Sequence, residues 1–194
     1  MQNEYTKEVK CKSKLVGSIY ETFESVIFAI ALVLIIFTFF AKLSVVEGDS
    51  MYPTLNDKDY LVVSNVFFSY EPENGDIVVV QTKKHPDGAI VKRVIATENQ
   101  TVRIKYNYPF DGSFDVYVDD VLVEEDYAYY GSRLAIIPSQ YEYELEIPEN
   151  CVYVLGDNRN ISLDSRTFGV VEENEILGKV VFRLLPSPKK IDFK

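Results

Sequence analysis

The chain of 194 residues has no tryptophan, one histidine, two cysteines and two methionines, and each scarcity excludes something. The single histidine, His85, lies in TKKHPDGA, a charged turn followed by proline. It reads as a solvated loop residue, which argues against a Ser-His-Asp triad. Cys11 and Cys151 make no CxxC metal spacing. They flank the one long apolar run, so a spanning segment would put them on opposite sides of a membrane and exclude a disulfide. Cys151, in NCVYVLG, reads as a small apolar side chain in a strand. Positive charge is also short: 20 Lys and Arg face 30 Asp and Glu, a net charge of -10. That balance withholds the basic face a nucleic-acid partner needs. No repeat, low-complexity tract, metal cluster or nucleotide motif is visible. What the chain does have is 47% hydrophobic residues, 14 Tyr and 12 Phe. That suits about one domain, and with many Val and Ile it leans toward β structure.

From Ser25 to Ala41 the sequence reads SVIFAIALVLIIFTFFA, without a charge. As a helix it would span about 26 Å, a little short of a hydrocarbon core of about 30 Å. Lys42 can snorkel, and Leu43, Val45 and Val46 extend the apolar character. A buried soluble helix is a weak alternative, because the run is apolar on every face. A cleaved leader would need a small-x-small site, yet Phe39 stands where a small residue should be. Lys7, Lys10, Lys12 and Lys14 precede the run and only Lys42 follows closely. The positive-inside rule then places the N-terminus in the cytoplasm. The expectation is a single-pass anchor in the lipid bilayer of the cell membrane, with an acidic domain outside.

Beyond residue 42, short apolar or alternating runs are bounded by turn residues: DYLVVSNV, GDIVVVQT, AIVKRVIA, TVRIKYN, FDVYVDDVLVEE, CVYVLGD and LGKVVFRLL. Asp119-Asp120 suits a hairpin turn. The expected fold is mainly β, with a β core and an inserted β-rich subdomain, preceded by a single N-terminal transmembrane helix. The expected layout is a cytoplasmic tail over 1–24, the anchor over 25–43, the core over 44–96 and 150–185, the Tyr-rich insertion over 97–149, and a loose polar tail over 186–194.

Three stretches carry possible chemistry. In EGDSMYPTL, Ser50 follows an acidic residue and precedes a Met-Tyr-Pro turn, nine residues past Ala41. In GAIVKRVIA, Lys92 alternates with Ile90 and Val94, and Arg93 with Val91 and Ile95. Both faces are apolar, so at least one cation sits among hydrophobes. An ordinary lysine is neutral only about 0.04% of the time at pH 7. Burial that lowers its pKa by about two units costs roughly 2.7 kcal/mol and makes it a usable base for Ser50. In GDNRNISLDSRTFG, Asp164 and Arg166 can pair, and Ser162 offers a hydroxyl to a lysine amine. Taken alone, each stretch also reads as an ordinary solvated strand or polar loop.

In the order N-terminal anchor, GDSMYPTL, GDIVVV, VKRVI and GDNRNISLDSRTFG, the sequence resembles the type I signal peptidases, bacterial membrane-anchored Ser-Lys leader peptidases, and within them the Gram-positive branch. The resemblance implies a signal-peptidase-like β core and removal of signal peptides from exported preproteins without a cofactor or metal. It makes Ser50 the nucleophile and Lys92 the general base. Ser162 would position the lysine amine, Asp164 and Arg166 would form a supporting ion pair, and Asp157 would support the same motif. The Ser50 N–H would face the oxyanion. Gly48 and Asp49 flank it, and Met51 and Pro53 would shape the turn and an apolar surface near the membrane. Implied partners are signal peptides, bound as extended strands with small residues before the cut, the bilayer and the secretion translocon. Two departures stand out. Gly48 occupies a position where some members carry a hydroxyl, and ATENQTV at 96–102 replaces the family's Gly-Leu-Pro-Gly-Asp turn. The altered turn keeps a rival reading open: a catalytically silent anchored relative that assembles exported or surface-fibre subunits. A self-cleaving Ser-Lys regulator fits less well, since no DNA-binding element is visible.

Overall fold

A computed structural model describes residues 20–35, 41–65, 70–85, 88–107, 112–131 and 141–190. The chain divides into two compact units, Met1–Ala41 and Lys42–Lys194. In the first, residues 20–35 form a helix, α1, exposed along its length. Phe28 is 72% exposed and Leu34 61%. Among the described residues no helix is long and apolar enough to cross a membrane, and residues 36–40 of the expected anchor lie outside them. Residues 41–43, expected as the end of the anchor, belong instead to a strand, Ala41–Val45. Lys42 and Ser44 alternate there with Leu43 and Val45, the period of a strand rather than of a helix.

Among the described residues the strands are β1 (Ala41–Val45), β2 (Tyr60–Asn65), β3 (Ile77–Val80), β4 (Ile90–Ala96), β5 (Thr101–Tyr106), β6 (Phe114–Val118), β7 (Val121–Leu122), β8 (Glu142–Glu146), β9 (Cys151–Leu155), β10 (Val171–Glu172), β11 (Ile176–Leu185) and β12 (Lys189–Lys190). The larger sheet runs β1-β2-β11-β3-β4-β9-β10, with β12 paired to β11. Both faces of this sheet are covered. Ile77 and Val79 point into a core with Met51, Leu55, Leu61 and Val180. Val78 and Val80 point the other way, toward Val94, Val152, Val154 and Val171. A strand buried on both sides reads as an unbroken apolar run, and IVVV is one.

The second sheet, β7-β6-β5-β8, is built entirely from residues 101–146. Val102, Ile104, Val116 and Val118 on its inner face share a core with Ile95, Tyr153 and Leu155 of the larger sheet. Shared burial thus joins the inserted strands to β4 and β9. Asp119 and Asp120 have φ of 50° and 65° and close the β6–β7 hairpin, the geometry of a two-residue primed turn. The unusual segment after β4 is a tight turn in which Gln100 N donates to Thr97 O at 3.3 Å. Asn99 adopts a φ of 63° there, which asparagine tolerates better than most residues. The expected loose tail is partly held: β12 pairs Lys189 with Arg183.

Gly178 of β11 pairs with both Asn65 and Val79. A Cβ at Gly178 would overlap the Ser64 carbonyl oxygen and the Val63 side chain. Gly178→Ala is expected to lower the free energy of unfolding by about 1–3 kcal/mol, read from the urea midpoint. An unchanged midpoint would contradict this packing.

Candidate active site

Strand pairing sets the site. β4 lies between β3 and β9, with Val78 opposite Lys92, Ile77 opposite Arg93, and Arg93 opposite Leu155. Lys92 and Arg93 therefore stand level with the end of β9, where the turn Gly156-Asp157-Asn158 begins. Past it, Asp164 accepts from Arg166 N and caps the short helix α2, Ser165–Phe168. The Ser50 turn is pinned by Met51 and Leu55, which are 1% and 0% exposed. Met51 packs in the core and also lines the cleft beside Ser50, and Pro53 is exposed.

Lys92 Nζ donates to Ser50 Oγ at 2.8 Å. Lys92 is 2% exposed and Ser50 is half-buried. Burial pushes the Lys92 amine down from 10.5 to about 8, against the pull of Asp164, with help from Arg166, and against Asp157. Both carboxylates that pull toward the ammonium are themselves held by other donors. Asp157 accepts from Arg93 at 2.8 and 2.7 Å, and Thr54 Oγ1 also donates to it. Asp164 accepts from Arg166 at 2.8 Å through both Nε and Nη2, and from Gly156 N at 3.1 Å. With each acid held by a guanidinium, desolvation of the lysine wins. A pKa near 8 leaves about a tenth of the amine neutral at pH 7, against about 0.03% at the ordinary value.

The remaining candidates surround this pair. Asp49 is exposed, and its carbonyl accepts from Tyr52 N at 3.1 Å and Asn158 Nδ2 at 3.1 Å. Gly48 has a φ of 83°, a left-handed backbone that disfavours any side chain, and its N–H donates to Asp57 Oδ1 at 2.9 Å. The structure does not join Ser162 to Lys92. The Ser162 hydroxyl is buried without a hydrogen-bond partner among the described residues, packed against Gly156, whose missing Cβ would strike both it and the Ser50 carbonyl. His85 is half-buried rather than solvated and sits edge-on to Phe168 at 6.3 Å, but the donor to the serine hydroxyl is Lys92. Sequence reasoning named Asp157 without its partner Arg93, which it had seen only as a cation among hydrophobes. It missed Asn158, whose N–H donates to Ser50 O at 3.0 Å. It also missed the buried pair of Arg159 and Glu125, at 2.6 Å.

Beside Ser50 lies a cleft of about 370 Å³, walled by residues 44–51 on one side and 89–92 on the other, with Val79, His85, Ile161 and Leu163 completing it. A serine hydroxyl bonded to a neutral amine, at the edge of a groove of mixed polar and apolar lining, can be deprotonated as it attacks a carbonyl.

The chain is similar to known proteins over most of its length. Residues 19–185 match the family model described as signal peptidase, peptidase S26. The chain is 33% identical over 189 residues to signal peptidase I of Bacillus amyloliquefaciens, covering 93% of this chain and 91% of that one. It is 36% identical over 151 residues to signal peptidase I of Bacillus caldolyticus, covering 73% and 78%. A solved signal peptidase I from Enterococcus faecalis V583 superposes with a TM-score of 0.43 at 26% identity, over 57% of this chain and 97% of that one.

A lysine ammonium desolvated by burial weakens the fold. Between about pH 8 and 10.5 the folded amine is neutral while the unfolded one stays protonated, so stability rises with pH across that window. Below pH 8 the full penalty applies, worth about 3 kcal/mol. Lys92→Met is therefore expected to raise the free energy of unfolding at pH 7 by up to about 3 kcal/mol. The gain should fade as the pH approaches 10.5. Urea titrations at pH 7 and 10 measure it, and a loss of stability at pH 7 would contradict the cost assigned to Lys92.

Proposed function

The chain belongs to the signal peptidase family, peptidase S26, and on that premise we propose that it is a membrane-anchored endopeptidase that cuts signal peptides from exported preproteins with a Ser50–Lys92 dyad. The observation that carries the proposal is the 2.8 Å bond between a half-buried serine hydroxyl and a buried lysine amine. Neutral Lys92 takes the Ser50 proton as Oγ attacks the scissile carbonyl carbon, and the Ser50 N–H faces the developing oxyanion. The resulting ammonium gives the proton to the leaving amine, the C–N bond breaks, and an acyl ester remains on Ser50. Lys92 then deprotonates a water that hydrolyses the ester and restores the serine. Ser162 is assigned the role of holding the lysine amine, for which it brings a buried hydroxyl without a partner among the described residues. The ion pairs of Asp164 with Arg166 and of Asp157 with Arg93 offset the pull of those carboxylates toward the Lys92 ammonium.

An extended peptide with small side chains would lie in the cleft, against Val45, Val79, Ala89 and Ile90. Residues 20–35 support the anchor: a helix baring Val26, Ile27, Phe28 and Leu34 is costly in water and at home in lipid. With the lysines at the N-terminal end, that gives a cytoplasmic N-terminus and an extracytoplasmic site. A secretion translocon as partner follows from the same reading.

The test is cleavage of a preprotein by the detergent-solubilised chain. Wild type should cleave, while Ser50→Ala and Lys92→Ala should lose at least about a thousandfold in kcat/KM with folding intact. Because the working lysine is the neutral form, kcat/KM should climb about tenfold per pH unit below pH 8 and level off above it. Cleavage retained by either variant would overturn the dyad. A wild type that cleaves no preprotein would favour the silent assembly factor.

A further inference from the structure

The Arg159 side chain is fully buried, and a guanidinium there needs compensation. Glu125, only 7% exposed at its side chain, supplies it through bonds of 2.7 and 2.6 Å. Burial alone would pull the Arg159 pKa down, but Glu125 reverses that and holds it above its ordinary value. Arg159 then reaches the catalytic turn, as its Nε donates to Gly156 O at 3.1 Å. The backbone continues the link. Tyr129 N donates to Asp157 O at 2.8 Å, and Arg159 N to Tyr129 O at 2.9 Å. Tyr127 lies between the two systems: its hydroxyl donates to Glu125 Oε1 at 3.0 Å, and the Arg93 guanidinium carbon sits 3.8 Å from its ring centre. On the far side of the same turn, Asn158 holds the Ser50 and Asp49 carbonyls. Residues 156–160 are therefore clamped between the serine turn and residues 125–131, which come from the inserted segment.

We propose that Glu125 and Tyr127 are positioning residues for the Ser50–Lys92 pair, Glu125 acting through Arg159 and Tyr127 through Arg93. The proposal rests on the dyad reading above. The charges that act on Lys92 are Asp164, Arg166 and Asp157, and Arg166 itself feels Arg159. Without the Glu125 charge, Arg159 stays buried and uncompensated. It then competes with Arg93 and Arg166 for Asp157 and Asp164, and the turn that fixes Gly156 against Ser50 loses its outer wall.

The experiment is preprotein cleavage by the full chain as a function of pH, with melting followed in parallel. Glu125→Gln is expected to lower kcat about 10- to 100-fold with KM little changed. The acidic limb of its pH profile should move to lower pH, since more uncompensated positive charge disfavours the Lys92 ammonium. Glu125→Asp should recover part of kcat and return the limb toward wild type. Tyr127→Ala, which serves if Glu125→Gln does not fold, should lower kcat about tenfold or more, while Tyr127→Phe, which keeps the ring on Arg93, should lose less. A Glu125→Gln protein with wild-type kcat and limb, lower only in melting temperature, would overturn the proposal while an inactive Ser50→Ala leaves the dyad standing. Ser50→Ala cleaving like wild type would overturn both.

Discussion

One contact governs the rest of this molecule: a lysine amine, out of water, 2.8 Å from a serine hydroxyl. In water the amine would be an ammonium with nothing to accept a proton. Burial between β3, β4 and the turn after β9 weakens that preference enough to leave about a tenth of the amine neutral at pH 7, at an energetic cost the fold carries elsewhere. The same burial makes every nearby charge matter, because low dielectric strengthens each interaction. Arg93 on Asp157 and Arg166 on Asp164 therefore keep the surroundings of Lys92 close to neutral, and hold in place the turn that faces Ser50.

The two sheets divide the labour. The larger one fixes where β4 and β9 end and so where Lys92 and Gly156 stand. The smaller one shares a core with it and sends residues 125–131 over the outer side of the turn at 156–160. Glycine is used where backbones meet. At Gly156 a side chain would strike the Ser50 carbonyl, and at Gly178 it would strike the Ser64 carbonyl of a neighbouring strand.

Much of this was legible in the chain. Alternation and unbroken Val-Ile runs located β2 to β6, β9 and β11, and the positions of Ser50 and Lys92 followed from short motifs whose residue types the chemistry requires. What was not legible has physical reasons. The start of β1 falls inside the expected anchor because Leu43, Val45 and Val46 prolong an apolar run, and composition alone cannot separate the end of an apolar helix from the start of a strand. Met51 was expected to shape the turn and an apolar surface; its burial, with Leu55, in the core beneath that turn depends on long-range packing that the motif does not display. The pairs of Arg93 with Asp157 and Arg159 with Glu125 join residues 64 and 34 positions apart, a distance over which no local pattern carries information. The Ser162 hydroxyl is where the motif places it, but no bond to Lys92 accompanies it.

The most direct test of the central claim is the titration of Lys92 itself in the intact protein. Lysine labelled at Cε allows the Lys92 signal to be followed by NMR and assigned by its loss in Lys92→Met. A midpoint near pH 8, well apart from the exposed lysines, is the predicted result. A midpoint near 10.5, shared with those lysines, would mean that burial does not free the amine, and the serine would have no base.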